Sequence, residues 1–259
     1  MASTKYTADL HGTNHGTLGD GSTTSTFPTS NETLYGGNTP VIPRAIDNAP
    51  TVQADAIGAG SALFVVGNTD YISISDDTSL DFGTGAFTIT AWINQTDDNS
   101  AIIAKGTYNG EGDWLIYEAS ANMEFRNDDN SGDKRIEFSG STLKDTGWHH
   151  LAVTRDGTAL KTYLDGVHQN SGTLESSYDF SNAHNVLIGS REDGSDRHAD
   201  GNICQVGIWD AALTQAQIQS IMEKTYEELT ASETTNLVSY WALDVDGSDS
   251  HGDNDGTLT

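Results

Sequence analysis

The strongest constraint on the fold of this chain is a succession of short apolar runs separated by Gly, Asn and Asp residues. In the segment 87–93, apolar and polar residues alternate, so Phe87 and Ile89 lie on one face of a strand and Thr88 and Thr90 on the other. Similar runs occur at 62–66, 71–74, 102–104, 114–117, 123–125, 148–155, 162–164, 186–188 and 203–209. Ten short strands at this spacing predict an all-β fold, an antiparallel sandwich or jelly roll.

One short helix interrupts the predicted strands. Thr214 followed three residues later by Gln217 forms a capping box, and Leu213 before the cap is spaced to contact Ile218. This pattern predicts a helix over about 214–228, with its apolar stripe packed on a sheet.

The whole chain divides into an N-terminal arm and one domain. Residues 1–60 contain all four prolines and almost no periodic apolar pattern, which predicts an extended N-terminal arm. Residues 61–259 hold the strands and the helix, and they are predicted to form one jelly-roll domain that ends in a C-terminal strand at 237–243. Residues 1–9 contain no apolar stretch, so no signal peptide is expected.

The charge and the single cysteine exclude several classes of function. The chain carries 38 Asp and Glu residues against 12 Lys and Arg residues, a formal net charge of -26. Because this charge repels phosphate backbones and anionic lipid headgroups, neither nucleic acid nor a membrane surface is an expected partner. No run of about 18 apolar residues occurs, so no membrane insertion is expected. Cys204 cannot form an intrachain disulfide and is interpreted as a small buried apolar residue.

A sequence repeat links the two ends of the chain. The segment Asp9–Leu18 matches Asp249–Leu258 at seven of ten positions, and the second copy follows the apolar run 237–243. A strand of this kind has unpaired backbone groups and must add to a sheet edge, either its own or that of a neighbouring molecule. The repeat therefore predicts a homo-oligomer, or attachment to a larger assembly, through the chain ends.

Several motifs occur in an order that is typical of one family. Asp70-Tyr-Ile72 precedes the strand 87–93, and further along Trp148-His-His150 precedes Tyr163-Leu-Asp-Gly166. Over about residues 62–222, the chain resembles the LamG-like jelly-roll domains of the concanavalin A-like lectin/glucanase superfamily. The resemblance implies two facing antiparallel sheets, with ligands bound at a loop-built rim or on the concave sheet. Domains of this type are common in phage structural proteins.

Calcium is the predicted structural cofactor, because acidic loops beside glycines supply the oxygen ligands that it prefers. The acids cluster around Gly247 and Gly252 and around Gly194 and Gly201. The resemblance also implies calcium at the rim, near Asp70 and the loop before Gly201. The predicted metal ligands are Asp9, Asn14, Asp70, Asp196, Asp200, Asp249 and Asp253. The same loops also contain Glu192, Asp193, Asp244, Asp246 and Asp255. The alternative is that these acids are solvating surface groups.

Aromatic residues near turns are candidates for sugar binding, because the apolar faces of sugar rings stack on aromatic side chains. The predicted glycan-binding residues are Tyr108, Trp114, Tyr178 and Trp209. Each of them is equally compatible with an ordinary core or rim position in a jelly roll.

Catalysis is not predicted. Glycoside hydrolysis needs two carboxylates about 5 to 9.5 Å apart across a sugar. Glu111 and Asp113 lie on one face of a Gly-rich segment and Glu118 on the other, which fits solvated acids better than a catalytic pair. Because His149 and His150 are adjacent in a strand and point to opposite faces, they are interpreted as structural residues rather than as a metal pair.

These patterns, together with the resemblance to domains found in phage structural proteins, predict a non-catalytic virion structural protein, a decoration or fibre-like component that displays a carbohydrate-binding or adhesive jelly roll. Its predicted location is the virion surface or the extracellular space. Its predicted partners are other copies of itself, other virion proteins and surface glycans. The alternative is a secreted or cell-surface lectin-like module that binds polysaccharide, and a weaker alternative is a glycosidase or lyase.

Overall fold

A computed structural model describes the chain at residues 51–53, 57, 60–65, 69–107, 110–119, 122–127, 134–191, 194 and 197–259. The strands are β1 (Thr51–Gln53), β2 (Ser61–Phe64), β3 (Ile72–Ile74), β4 (Phe87–Gln95), β5 (Ala101–Lys105), β6 (Trp114–Ala119), β7 (Asn122–Asn127), β8 (Lys134–Glu137), β9 (His149–Asp156), β10 (Ala159–Leu164), β11 (Val167–Thr173), β12 (Val186–Ile188), β13 (Gly201–Trp209), β14 (Leu237–Trp241) and β15 (Gly256–Leu258). The helix α1 (Gln215–Ile221) and 3-10 turns at Thr78–Leu80 and Tyr226–Glu228 accompany them.

The strands form two antiparallel sheets that face each other as a sandwich. The eight-stranded sheet has the order β1-β2-β13-β4-β9-β10-β11, and β14 pairs with the second half of β13. The seven-stranded sheet has the order β15-β3-β12-β5-β6-β7-β8. The prediction of an all-β antiparallel sandwich of jelly-roll type is confirmed.

The main hydrophobic core lies between the two sheets. Phe87, Ile89 and Ile93 of β4 enter this core on one face of the strand, as their alternation predicts. Trp114 and Ile116 of β6 enter it from the seven-stranded sheet. Full burial of one such side chain contributes about 1.5–3 kcal/mol. The interior of the sandwich is therefore the main source of stability.

A second buried layer lies on the outer face of the eight-stranded sheet, where α1 covers it. Ile218 and Ile221 of the helix pack with Trp209 of β13 and Tyr240 of β14. The Thr214 cap forms as predicted, and its side chain accepts a hydrogen bond from a backbone N–H of the first helical turn. The helix is thus held by its cap at one end and by its apolar stripe along its length.

The helix is shorter than the predicted 214–228. α1 ends at Ile221, and a separate 3-10 turn follows at Tyr226–Glu228. That turn has its own cap, because Glu228 Oε2 accepts the Thr225 N–H at 3.0 Å. Two capping signals therefore divide the segment into two short helical pieces. Within the described ranges, no helix has the length and apolar character needed to cross a membrane.

The turn between β10 and β11 explains why two distant motifs occur together. Asp165 and Gly166 have positive φ angles of 50° and 70°, as a two-residue hairpin turn of the primed type requires. Asp165 contacts β9, where its Oδ1 accepts the His150 N–H at 2.9 Å and its Oδ2 lies 2.8 Å from His149 Nδ1. His150 is buried with its ring edge-on to Trp92, at 5.3 Å between centroids. The Trp-His-His and Tyr-x-Asp-Gly motifs therefore form one structural unit.

In the described ranges, four strands extend the sheets beyond the sequence prediction: β1, β8, β11 and β15, which are the first and last strands in the order of each sheet. β1 lies inside the region 1–60 that was predicted to be an arm, and it pairs with β2. β11 is exposed along most of its length and shows no apolar alternation. Edge strands are partly solvated, so they need no buried face and give little sequence signal. Apart from Ile57 and Gly60, the rest of the predicted arm lies outside the described residues.

Candidate functional site

A surface groove lies on the outer face of the eight-stranded sheet, between the start of α1 and strands β9 to β11. It encloses about 460 Å³, which is within the usual range of small-molecule sites. Its floor contains Tyr163 and Leu213, which are 5% and 6% exposed. Its polar lining residues are Thr154, Asp156, Lys161, His168, Ser171, Thr214 and Gln215.

Strand register explains how these side chains meet. Lys161 on β10 is the direct partner of Thr154 on β9 and of Ser171 on β11. Directly paired side chains of neighbouring strands share a face of the sheet, so the three lie on the groove side together. Tyr163 follows Lys161 on the same face, and its ring is edge-on to His168 at 5.6 Å between centroids. One side of the groove is therefore formed by paired strands, and residues 212–215 at the start of α1 form the other.

The groove offers hydrogen-bond donors and acceptors above a base where Tyr163 and Leu213 are almost completely buried. Lys161 and Asp156 provide one charge of each sign, and Asp156 is the only carboxylate among the lining residues. Sugar hydroxyls both donate and accept hydrogen bonds, so they match this lining. The groove can hold a short sugar chain, but it lacks the pair of carboxylates that glycoside hydrolysis requires.

The groove residues were not among the predicted site residues. They come from β9 and β10, from the start of α1 and from β11, the edge strand without apolar alternation. The sequence feature that could have pointed to the groove is the Asp165-Gly166 turn, which follows Lys161 and Tyr163. A two-residue turn of this type places the next strand antiparallel beside the previous one, so the polar residues of 167–173 fall next to Lys161 and Tyr163.

Three of the predicted glycan-binding residues lie in the protein interior. Trp209 is 0% exposed, Trp114 is 1% exposed and Tyr178 is 6% exposed. Trp209 donates its Nε1–H to the Glu233 carbonyl oxygen at 2.8 Å, and the other two belong to the main core. A covered ring has no face for a sugar, so the predicted stacking role is corrected to a packing role. Tyr108 lies outside the described residues.

The predicted metal ligand Asp249 binds the backbone of its own loop. Its Oδ1 accepts the N–H groups of Tyr240 at 2.9 Å and His251 at 3.0 Å, and its Oδ2 accepts that of Asn254 at 3.2 Å. Both carboxylate oxygens therefore already have donors. This arrangement fits a carboxylate that organises a loop better than one that binds calcium. Asp253 of the same loop is exposed.

The other predicted metal ligands do not form one cluster. Asp70 is 1% exposed and accepts the Val65 N–H at 3.4 Å, whereas the Asp200 carbonyl accepts the Thr96 N–H at 2.8 Å. In the part of the chain that the structure describes, no three or more His, Cys, Asp and Glu side chains are grouped to hold a metal ion. Calcium at the Asp70 end of the sandwich stays a prediction. The predicted ligands outside the described residues are Asp9, Asn14 and Asp196.

The three acids considered for catalysis occupy three different environments. Asp113 is 1% exposed, and its Oδ2 accepts the N–H groups of Thr107 at 2.7 Å and Gly110 at 2.8 Å. Glu118 is fully buried on β6, and Glu111 is exposed. One acid organises a turn, one lies inside the sandwich and one is solvated, so they do not act as a pair.

Comparison with known families gives a match over more than half of the chain. Residues 66–219 match the laminin G-type model described as the concanavalin A-like lectin/glucanases superfamily. The matched segment contains strands from both sheets and the groove between α1 and β9 to β11.

Individual proteins are similar over parts of their length. The neuronal pentraxin receptor of Homo sapiens is 37% identical over 95 residues, which covers 32% of this chain and 19% of the receptor. Domain 4 of AbnA, a GH43 extracellular arabinanase from Geobacillus stearothermophilus solved with arabinotriose, is 19% identical at a TM-score of 0.52. That match covers 66% of this chain and 80% of the domain.

A candidate carbohydrate-binding protein from Bacteroides ovatus is 20% identical at a TM-score of 0.58, and the match covers 77% of this chain and 57% of that protein. At these identities, the structural likenesses establish the fold alone. The chain spans about a fifth or less of the length of the curated relatives that it matches.

Proposed function

The chain belongs to the concanavalin A-like lectin/glucanase superfamily, and from this premise we propose that it is a non-catalytic, lectin-like carbohydrate-binding module. The proposed sugar site is the groove between α1 and strands β9 to β11. One observation carries the proposal: Thr154, Lys161 and Ser171 lie side by side on neighbouring strands and line a groove with room for a small molecule. The solved complex of AbnA domain 4 with arabinotriose supports this use of the fold.

The proposed ligand is an uncharged or weakly charged oligosaccharide. The chain has a formal net charge of -26, which repels strongly acidic polysaccharides. Within the groove, Lys161 and Asp156 balance each other, so the lining itself favours neither sign. Hydroxyl groups satisfy both side chains without bringing a charge of their own.

Affinity electrophoresis against a panel of neutral and acidic polysaccharides tests the proposed site. Lys161→Ala and His168→Ala remove exposed side chains from the groove, so both variants are expected to fold. We expect each to weaken binding to the retained polysaccharide by about tenfold, or about 1.4 kcal/mol. Lys134→Ala is the matched control, because Lys134 is exposed on β8 of the other sheet. Equal binding by all variants would show that the sugar binds outside the groove. No binding to any polysaccharide would contradict the proposed function.

The absence of catalysis is a separate part of the proposal. Release of reducing ends from the same polysaccharides should stay at the background level, because the groove has one carboxylate and the acids near β6 do not form a pair. Turnover that disappears in Glu111→Gln or Asp113→Asn would contradict this part and favour a glycosidase or lyase.

Within this function, we propose that copies of the protein assemble, as a decoration or fibre-like component of a virion surface would. The supporting observation is the repeat of Asp9–Leu18 at Asp249–Leu258. In the second copy, the strand Gly256–Leu258 adds to the edge of one sheet, while β14 just before it adds to the other. A free secreted or cell-surface lectin-like module, with the same sugar site, remains the alternative.

Truncated variants distinguish the hypothesis of an assembled form from that of a free module. Light scattering and circular dichroism should show that removal of residues 1–20 or of residues 237–259 changes the oligomeric state more than the β content. If both truncated chains keep the parent's assembly state, the ends are intramolecular and the free module is the better interpretation.

A further inference from the structure

Gln95, Ser100 and Glu118 carry buried polar atoms that have no hydrogen-bond partner in the described part of the chain. All three residues are 0% exposed. The unpartnered atoms are both amide atoms of Gln95, Ser100 Oγ and Glu118 Oε2. A buried polar group without a partner costs about 1–3 kcal/mol, and a charged group costs more. Four such atoms in three residues require an explanation.

The three residues lie at one end of the sandwich interior. Gln95 follows Ile93 on the inward face of β4, and Glu118 follows Ile116 on the inward face of β6. Alternate residues of a strand share a face, so the two side chains point between the sheets, one from each sheet. Ser100 directly precedes β5 and lies beside Glu118. Its carbonyl oxygen accepts the Glu118 N–H at 2.7 Å.

The segment 142–146 closes this end over both sheets. Glu118 Oε1 accepts the Leu143 N–H at 2.8 Å and a threonine hydroxyl beside it. Two residues later, the Asp145 N–H donates to the Gln95 carbonyl oxygen at 2.8 Å. One oxygen of the Glu118 carboxylate is thus fixed by the closing segment, and the other remains for a ligand inside. Burial raises the pKa of Glu118, because the negative charge loses its hydration there.

We propose that Gln95, Ser100 and Glu118 form a binding site for one hard metal cation. The Glu118 carboxylate, the Gln95 amide carbonyl and the Ser100 hydroxyl offer three oxygen ligands, the type that calcium, magnesium and sodium prefer. A cation compensates the buried charge of Glu118 and gives the unpartnered oxygens a partner. The net charge of -26 raises the local concentration of cations around the chain.

This site is distinct from both the acidic loops and the sugar groove. It uses one carboxylate with two neutral side chains, whereas the acidic loops consist of exposed aspartates such as Asp246 and Asp253. It lies on the inner side of the eight-stranded sheet, and the groove lies on the outer side. Sugar binding and cation binding can therefore fail independently of each other.

Thermal melts of the full chain, freed of metal by a chelator, test the site with calcium, magnesium, sodium and potassium chloride in separate series. We expect one of these cations, at about 100 times its Kd, to raise the midpoint by roughly 5–10 °C. Native mass spectrometry should then show one bound ion per chain. Glu118→Gln keeps the Oε1 contacts with the closing segment, so it is expected to fold and to lose the response. Glu175→Gln is the matched control, because it removes an exposed carboxylate elsewhere and should respond as the wild type does.

A wild-type midpoint that is unchanged in all four salts would overturn the proposal. A response that persists in Glu118→Gln would also overturn it. If that response disappears in Asp70→Asn, the cation binds near Asp70 instead. If Glu118→Gln does not fold, Ser100→Ala takes its place and should raise the Kd of the cation about tenfold. An unchanged Kd in Ser100→Ala would contradict the proposal in that case.

Discussion

Lys105 of β5 is fully buried and contacts two acids and a backbone carbonyl. Its Nζ lies 2.8 Å from Asp76 Oδ1, 2.6 Å from Asp81 Oδ1 and 2.8 Å from the Asn182 carbonyl oxygen. The side chains of Asp76 and Asp81 are 36% and 23% exposed, whereas that of Lys105 is 0% exposed. The acids therefore keep part of their hydration when the lysine is removed, but the lysine depends on them for compensation of its charge.

Removal of the two acids should consequently cost more stability than removal of the lysine. We expect Asp76→Asn/Asp81→Asn to lower the free energy of unfolding by about 3–5 kcal/mol, and Lys105→Met to lower it by about 1–3 kcal/mol. Urea denaturation measures both. Lys134→Met, at an exposed position, should stay within about 0.5 kcal/mol of the wild type. A larger loss in Lys105→Met than in the double variant would contradict this account of the charge cluster.

Two further residues control how the fold responds to acid. Burial lowers the pKa of His150 from 6.5 to about 4. For Glu233, burial raises the pKa, but hydrogen bonds from Lys224, Ser220 and Thr230 lower it by more, from 4.5 to about 2. For both residues the pKa is higher in the unfolded chain than in the folded chain. As the pH falls, the unfolded chain therefore takes up each proton first. Stability linked to His150 is therefore lost as the pH falls from 6.5 towards 4, and stability linked to Glu233 is lost as it falls from 4.5 towards 2.

The two pH ranges can be separated by substitution. His150→Gln should reduce the slope of unfolding free energy against pH between 6.5 and 4.5, by up to about 1.4 kcal/mol per pH unit. Glu233→Gln should change the slope only below pH 4.5. Urea denaturation from pH 7 to pH 3 provides the measurement. A wild-type slope in His150→Gln above pH 4.5 would show that another group takes up the proton.

At the scale of the elements, the loop between β14 and β15 connects the two sheets near the end of the chain. Asp249 holds this loop by accepting three backbone N–H groups, one of them from Tyr240 in β14. The loop also contacts the core, because Trp241 donates its Nε1–H to the Asn254 carbonyl oxygen at 2.8 Å. Asp249 therefore helps to fix the loop that leads into β15.

Asp249→Ala should loosen β15 before it affects the rest of the fold. The loss of acceptors for three N–H groups should cost about 1–3 kcal/mol, and hydrogen exchange should become faster in Gly256–Leu258 and in Ile72–Ile74, its partner strand. Asp253→Ala is the control, because Asp253 is exposed in the same loop. Unchanged exchange in Gly256–Leu258 would mean that packing alone holds the strand.

The position of each strand in its sheet decided whether the sequence could predict it. β4 has a neighbour on each side and one face in the main core, so its apolar alternation is clear from Phe87 to Ile93. β1, β8, β11 and β15 are sheet edges, where solvated residues such as those of Val167–Thr173 satisfy the fold equally well. Sequence alternation reports burial on one face, and it says little about strands that are held mainly by backbone hydrogen bonds.

The sugar groove was not predictable for a different reason. The Thr214 cap and the Asp165-Gly166 turn both have clear sequence signals, but their proximity depends on tertiary packing. α1 lies beside the turn because Ile218 packs on Trp209, and Gln215 Nε2 then donates to the Gly166 carbonyl oxygen at 3.0 Å. The same packing buries Trp209, which in sequence is indistinguishable from a surface tryptophan.

At the scale of the whole molecule, the net negative charge of the chain contrasts with the balanced charges of the proposed sugar groove. Exposed carboxylates give the chain its net charge of -26, while several of its few cations are used inside, such as Lys105 and Arg155. Arg155 donates to the carbonyl oxygens of Gly157, Gly83 and Tyr178. The groove is close to neutral by comparison, which suits a ligand recognised through hydroxyl groups.

The most direct test of the central claim is a crystal structure of the full chain with an oligosaccharide from the polysaccharide that it retains. We predict that the sugar lies in the groove between α1 and β9 to β11, within hydrogen-bond distance of Lys161. A sugar bound instead at the rim near Asp70, with the groove unchanged, would contradict the proposed site.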